Sequence, residues 1–191
     1  MSATDAATWP APTQSEPYDV FRAMRKRRMH REFLPERVDE ALLERLIYAA
    51  GRGPAPRANI RHLIVTTDPR LIRSIGQVCP GWLNNAPAMM AVCTDTRAAE
   101  EVMGASAEWG TALDSGAAGA YVSLAAQALG LGICFVTSWP AEAVQGVLGL
   151  PAHIRPDLLI AIGYPVVNPP KPARRFTPIV HRERFGSEAG T

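Results

Sequence analysis

The sequence predicts an α+β domain in which helices pack on a mixed or antiparallel β-sheet. Two predicted helices precede the first strand, and strands then alternate with helices. No Gly-x-Gly-x-x-Gly turn follows the first strand, which argues against a doubly wound dinucleotide fold. The 191 residues are the length of one domain. We expect this domain over residues 17–185, between flexible tails at residues 1–16 and 186–191.

The first two helices and the loop after them follow from spacing and composition. Residues 17–30 carry apolar residues at helical spacing and end in a basic run. Residues 38–50 are a leucine-rich helix that Asp39 can cap. Residues 51–59 are rich in Gly and Pro, which predicts a loop.

Short apolar runs and helical patterns alternate through the rest of the chain. Strands are predicted at residues 62–67, 87–94, 133–137 and 158–162, and helices at residues 68–77, 112–129 and 141–148. Residues 166–191 show no clear period. The weakly charged stretch 111–140 contains Asp114, Gln127 and several glycines, so we interpret it as a buried helix and a strand rather than a membrane span.

Composition excludes several classes of protein. The chain is 47% hydrophobic and 20% charged, which is typical of a globular protein. Its 20 Lys and Arg against 18 Asp and Glu are too balanced for a protein that coats nucleic acid. The cysteines Cys79, Cys93 and Cys134 are scattered and form no zinc-type pair. We therefore expect a cytoplasmic protein without a metal site, signal peptide or membrane contact.

A basic cluster at the end of the first helix is the first candidate site. Its members are Arg22, Arg25, Lys26, Arg27, Arg28, His30 and Arg31. If the helix continues that far, Arg27 and Arg31 lie one turn apart and face the same way. Paired guanidinium groups suit a phosphate or another anion. The alternatives are cations that complement the helix dipole, or a nucleic-acid patch, although no aromatic residues are interleaved.

A second basic cluster follows a proline-stiffened segment near the end of the chain. Lys171, Arg174 and Arg175 come directly after Asn168-Pro169-Pro170. Two separated arginine groups in one small domain can converge on one phosphate. Taken alone, each group is more typical of solvated surface than of an anion site.

The helix at 112–129 is rich in small residues and leads into the strand at 133–137. Small residues allow another backbone to approach closely, either in the core or in an identical second copy. The strand ends at Ser138-Trp139-Pro140, where exposed backbone donors could hold a flat heteroaromatic ring. No nucleophile elbow, P-loop or carboxylate pair stands out, so no catalytic side chain is assigned and a cofactor is expected to supply the chemistry.

From about Val20 to Ile179, the order of several motifs resembles the nitroreductase-like FMN-dependent flavoprotein family. The motifs are Arg27-Arg28-Met29-His30-Arg31-Glu32-Phe33, residues 35–40 before the leucine-rich helix with Ala49-Ala50, Ala86-Pro87, Asp114-Ser115-Gly116-Ala117-Ala118, Ala128-Leu129-Gly130-Leu131-Gly132 and Ile162-Gly163-Tyr164-Pro165. The resemblance implies a nitroreductase-like fold and an intertwined homodimer with one FMN at each subunit interface.

The resemblance also implies roles for individual residues. Arg27 would bind the FMN phosphate, Arg28 and Met29 would contact the phosphate and ribityl chain, Arg31 would lie near the N1/O2 edge of the ring, Asn59 would contact the flavin, Thr137 and Ser138 would place backbone donors at N5, and Arg174 or Arg175 would complete the phosphate site. Met29 stands where the family carries a Ser hydroxyl. The loop at residues 53–62 lacks the family's Gln-Pro-Trp, and Arg57 and Arg61 suggest an anionic substrate or a second phosphate.

The function implied is an oxidoreductase that passes hydride from NAD(P)H through FMN to an electron-poor acceptor, such as a nitroaromatic or a quinone, in ping-pong fashion. The alternatives are a non-catalytic flavin-binding or flavin-sequestering dimer and a specialised oxidative enzyme of the same fold. Trp82 and Trp109 are expected to pack in the core rather than line the pocket.

Overall fold

The computed structural model describes residues 20–57, 59–82, 85–166 and 179–185. The helices are α1 (Val20–Lys26), α2 (Glu40–Gly51), α3 (Pro69–Val78), α4 (Thr96–Met103), α5 (Ala107–Ala128) and α6 (Ala141–Leu148), and the strands are β1 (Arg61–Thr66), β2 (Ala88–Asp95), β3 (Gly132–Val136) and β4 (Ile154–Gly163). A short 3-10 turn at Gly104–Ser106 separates α4 from α5. In these described residues, no helix is long and apolar enough to cross a membrane.

The four strands form one sheet in the order β1-β2-β4-β3, and each neighbouring pair is antiparallel. With helices packed on the sheet, this confirms the α+β prediction. An isolated parallel bridge joins Met29 to Ile133, and the His30 amide donates to the Ile133 carbonyl at 2.8 Å. The segment after α1 therefore lies along β3, which is an edge strand of the sheet.

The two faces of the sheet bury two separate apolar clusters, because successive strand side chains alternate between faces. One face packs against α2 and α5, with Ala88, Met90, Val92, Ile133, Leu158, Ile160 and Ile162 from the strands. The other packs against α3 and α6, with Met89, Ala91, Cys93, Cys134, Val136, Leu159 and Ala161. Both central strands, β2 and β4, are therefore buried on both sides.

The predicted first helix is too long at its C-terminus. α1 ends at Lys26, because the following residues turn to pair with β3 instead of continuing the helix. Arg27 and Arg31 are therefore not neighbours on one helix face, and that conditional expectation is wrong. Residues 17–19 lie outside the described residues.

The other element predictions hold with shifted ends, and α6 matches at both. The sequence reasoning missed α4, which begins directly at the end of β2, where the Asp95 carboxylate accepts from the Ala98 amide at 3.0 Å. β4 begins earlier than predicted, because its first residues pair with the end of β2. Stretch 111–140 forms most of α5 and all of β3, as interpreted. Trp82 is buried in the core as expected, whereas Trp109 is 63% exposed, so that expectation is wrong.

Candidate functional site

The first candidate site is a cleft where the end of α1 meets α5 and β3. We call it the Arg27 cleft; its volume is about 370 Å³. Its lining residues are Met24, Arg27, Met29, Ala120, Ser123, Leu124 and Phe135. The pairing of Met29 with Ile133 holds the Arg27 segment against β3, so the cleft depends on that edge contact.

Arg27 and its neighbour Arg28 are used differently. The Arg28 guanidinium donates to the carbonyls of Arg25 at 3.0 Å and Arg27 at 2.8 Å, so it satisfies the carbonyls that the end of α1 leaves open. The Arg27 guanidinium is half-buried, and within the described part of the chain it makes no hydrogen bond. Arg27 is therefore the cation of this pair whose donors remain for an anion in the cleft.

A second polar group in the Arg27 cleft was missed by sequence reasoning. Ser123 is 2% exposed, and its Oγ has no hydrogen-bond partner among the described residues. The other Ser and Thr hydroxyls on α5 are bonded: Thr111 Oγ1 donates to the Ala107 carbonyl at 2.7 Å, and Ser115 Oγ donates to Asp157 at 2.8 Å. The sequence shows only a single Ser between apolar residues in the second half of the alanine-rich helix, which does not distinguish it from an ordinary core serine.

A second cleft lies next to the first, beyond Phe135. We call it the Thr137 cleft; its volume is about 480 Å³. It is lined by Glu108, Ala112, Ser115, Gly116, Phe135, Thr137, Arg155, Pro156, Asp157 and Leu158. Phe135 lines both clefts, so they lie side by side along α5.

A buried polar network forms one wall of the Thr137 cleft. The Asp157 side chain is 8% exposed, and its carboxylate accepts from Arg155 Nε at 2.7 Å, from Ser115 Oγ at 2.8 Å and from Thr94 Oγ1. Arg155 also donates to Thr111 Oγ1 at 3.0 Å. The network joins β2, β4 and α5, and the sequence reasoning did not single it out. The available signal was the spacing of Arg155 and Asp157, which are two residues apart in an apolar strand.

The basic loop between α2 and β1 is fixed by Arg61. Its guanidinium donates to the carbonyls of Ala50, Gly53 and Asp114, each at 3.0 Å, and also to that of Pro54. Burial lowers the pKa of Arg61, and the nearby acids Asp114 and Asp157 oppose that shift. Arg61 is thus a structural cation, which does not support the suggestion that it marks an anionic substrate.

Gly53 lets this loop approach α5. A Cβ at Gly53 would lie 2.9 Å from the Cα of Ala118, so any side chain there would collide with the helix backbone. Arg57, in the same loop, is exposed. The loop is therefore held on α5 by one glycine contact and one arginine.

The remaining predicted site residues are scattered, and some lie outside the described residues. Thr137 and Ser138 are exposed and follow β3 directly, with Thr137 in the second cleft. Arg31 is exposed and does not line the Arg27 cleft. Asn59 is exposed and precedes β1, at the opposite edge of the sheet from β3. Lys171, Arg174 and Arg175 lie outside the described residues.

Comparison with known proteins agrees with this fold and sequence pattern. The family model for the nitroreductase family matches residues 57–164, more than half of the chain. A protein of Methanothermobacter thermautotrophicus, provisionally named NADH dehydrogenase/NAD(P)H nitroreductase, is 30% identical over 158 residues, which cover 79% of this chain and 80% of that protein. The chain belongs to the nitroreductase family, and its general class is that of the oxidoreductases.

Solved structures share the fold at lower identity. The structure of the NfrA1 nitroreductase from B. subtilis has a TM-score of 0.78 and 18% identity, covering 90% of this chain and 76% of that one. A structure described as an FMN-dependent nitroreductase from Clostridium difficile has a TM-score of 0.71 and 22% identity, covering 85% and 98% of the two chains. These likenesses establish the nitroreductase fold for this chain.

Proposed function

We propose that this protein is an FMN-dependent oxidoreductase that takes hydride from NAD(P)H and delivers it to an electron-poor acceptor, such as a nitroaromatic or a quinone. The chemistry that bound FMN supplies is reversible acceptance of a hydride, in two half-reactions that share one site in ping-pong order. The observation that carries the proposal is the pair of adjoining clefts along α5. One contains the Arg27 guanidinium, which makes no hydrogen bond within the described part of the chain, and the other contains Thr137. Family membership supports it.

The residues of the Arg27 cleft suit the phosphate end of FMN. A phosphate monoester carries nearly two negative charges at neutral pH, and its desolvation has to be offset by charged donors. Arg27 offers a half-buried guanidinium whose donors are unused in the described structure. Met29 would pack on the ribityl chain, and Arg174 or Arg175 would add a further cation. Arg28 would act by holding the end of α1 in place.

The Thr137 cleft suits the ring end. The backbone amides of Thr137 and Ser138 follow the last residue of β3 and would donate toward N5, where hydride is accepted. Arg31 would place a cation near N1, which would stabilise the negative charge of the reduced ring. Phe135 and Gly116 line the cleft and leave room for a flat ring between β3 and α5.

We further propose a cytoplasmic homodimer with a site built from both copies. Asn59 precedes β1 and Met29 pairs with β3, and these edge strands are three strand spacings, or about 14 Å, apart. A second copy could bring its own Asn59 loop to the Arg27 and Thr137 clefts. The exposed side chains of Trp109, Leu113 and Tyr121 on α5 supply an apolar surface for such an interface.

The experiment that tests the proposal is reduction of the purified, FMN-loaded protein with NADH or NADPH in the absence of oxygen. The visible absorbance of the oxidised flavin should bleach with at least one donor and return when a quinone or nitroaromatic is added. Bound flavin that bleaches with neither donor would favour the non-catalytic flavin-binding alternative.

Arg27→Gln tests the phosphate assignment. Loss of one charge-assisted contact should weaken FMN binding by roughly 10–100-fold, measured by fluorescence titration of the apoprotein. Arg22→Gln, on exposed α1, is the control and should stay within about twofold. Equal effects of the two changes would mean that a diffuse basic surface, rather than Arg27, attracts the cofactor.

A further inference from the structure

Ser123 is a buried polar group that the proposed FMN contacts do not use. It lies in the second half of α5 and lines the Arg27 cleft together with Arg27 and Met29. Its side chain is 2% exposed, and its Oγ has no hydrogen-bond partner among the described residues. A buried hydroxyl without a partner destabilises the fold relative to a bonded one, so a Ser at a cleft wall calls for a partner in the cleft.

The other Ser and Thr hydroxyls of α5 are both satisfied, one within the helix and one by a residue of β4. Thr111 Oγ1 donates to the carbonyl four residues earlier, at 2.7 Å, and Ser115 Oγ donates to a carboxylate. The equivalent backbone acceptor for Ser123 is the carbonyl of Gly119, yet no such bond is formed. Ser123 therefore differs from its neighbours in bonding and not in burial.

The chemistry of the cleft selects the kind of partner. Arg27 gives the cleft a cation, and Met24, Met29, Leu124 and Phe135 give it apolar walls without a hydrogen-bond donor. An anion next to Arg27 needs further donors to replace its hydration. Among the described side chains that line this cleft, that of Ser123 is the one uncharged hydrogen-bond donor. A neutral donor next to a guanidinium is well suited to a phosphate oxygen.

We propose that Ser123 Oγ donates a hydrogen bond to a phosphate oxygen of FMN, so that the phosphate is bound jointly by Arg27 and a hydroxyl from α5. This inference rests on the proposed function. The Met29 side chain offers the phosphate only apolar contact. The hydroxyl that the phosphate needs comes from Ser123 on α5. Ser123 is then a cofactor-binding residue whose hydroxyl is left without a partner until FMN is bound.

The test compares Ser123→Ala with the deletion of a bonded hydroxyl outside both clefts, Thr96→Val. Without FMN, Ser123→Ala should unfold at the same or a higher temperature than the unsubstituted protein, because it removes an unbonded buried hydroxyl. Its Kd for FMN should rise about tenfold. Thr96→Val removes a hydroxyl that donates to the His153 carbonyl at 3.0 Å. Its apoprotein should therefore be less stable, while its Kd for FMN stays within about twofold.

Riboflavin, which lacks the phosphate, distinguishes the atom that Ser123 contacts. The riboflavin Kd of Ser123→Ala should equal that of the unsubstituted protein. An equal loss for riboflavin and FMN would overturn the phosphate contact, and so would an unchanged FMN Kd in Ser123→Ala. An unsubstituted protein that binds riboflavin but gains nothing from the phosphate would overturn the inference while leaving a flavin function intact. One that binds neither flavin would overturn the proposed function as well.

Discussion

The first half of α5, residues 107–116, and its second half, residues 117–128, differ in how their polar groups are bonded. In the first half, Thr111 and Ser115 are both hydrogen-bonded, and the Asp114 carbonyl accepts from Arg61. In the second half, Ser123 is equally buried and has no partner among the described residues. Polar groups of the first half therefore hold the fold together, and the second half borders a cleft with unused donors.

Two arginines show the same contrast. Arg61 is surrounded by backbone carbonyls next to the first half of α5, and Arg27 lines a cleft beside the second half without a hydrogen bond from its guanidinium in the described structure. Both belong to basic segments that the sequence marked as anion sites. The number of backbone carbonyls around a guanidinium, more than the local density of charge, decides whether its donors are already used within the described structure.

The largest expected effect is a loss of stability when the polar network around Asp157, at the wall of the Thr137 cleft, is broken. Asp157→Ala should lower the free energy of unfolding by about 3–5 kcal/mol, because Arg155, Ser115 and Thr94 all lose their buried acceptor. Urea unfolding measures the change. Glu101→Ala on the exposed side of α4 is the control and should stay within about 0.5 kcal/mol. If both variants lose the same amount, the network does not carry the stability assigned to it.

A smaller loss is expected at the loop clamp. Arg61→Met keeps much of the side-chain length but leaves the carbonyls of Ala50, Gly53 and Asp114 without their donor, which should cost about 2–3 kcal/mol. Arg57→Met, in the same loop but at an exposed position, should leave the free energy of unfolding nearly unchanged. Urea unfolding of both variants separates a structural role from a general effect of charge. If Arg61→Met left the free energy of unfolding unchanged, the carbonyl contacts of Arg61 would not distinguish it from Arg27.

The smallest expected effect is a pH dependence of stability that arises from His30, in the segment after α1. His30 is 4% exposed, packs on Gly132, and burial lowers its pKa below the ordinary value of 6.5. Near pH 6 the unfolded chain therefore binds more protons than the folded one. This contribution to stability is complete above about pH 6.5 and is lost as the pH falls toward the folded-state pKa.

His30→Gln should flatten this dependence between about pH 7.5 and 5, measured as the unfolding midpoint in urea at each pH. His62→Gln, on the exposed side of β1, should keep the slope of the unsubstituted protein. A slope that survives in His30→Gln would assign the pH dependence to groups elsewhere in the fold.

Sequence reasoning succeeded for elements whose cause is local. α6 begins and ends where predicted, and α3 begins at Asp68-Pro69, where the Asp68 carboxylate accepts from the Arg70 amide at 2.8 Å. Asp39 is the N-cap residue of α2, but its side chain makes no cap hydrogen bond, so that expectation is wrong. Periodicity and capping act over a few residues, so they can be read directly. The prediction was wrong for the end of α1, because there the helix competes with a distant strand, β3.

The candidate site was predicted less completely than the fold. The resemblance singled out Arg27 and Met29, which do line one cleft together, and Thr137, which lines the next. Nothing local distinguished Ser123 from an ordinary core serine, since its missing partner is visible only when its neighbours are known. Lining a cleft does not test a role in cofactor binding. All the roles that the resemblance gives therefore stay predictions, namely those of Arg27, Arg28, Met29, Arg31, Asn59, Thr137, Ser138, Arg174 and Arg175.

By itself, the sequence determined the α+β class, the order of most elements and the family, because apolar period, helix caps and motif order are properties of adjacent residues. Only the tertiary structure decided which basic and hydroxyl groups are already bonded. Arg61 finds its carbonyls on α2, its own loop and α5, up to 53 residues away, and Asp157 finds Thr94 63 residues away. Such bonds depend on where the folded chain places distant backbone, so whether a polar group is satisfied or open to a ligand is settled by packing.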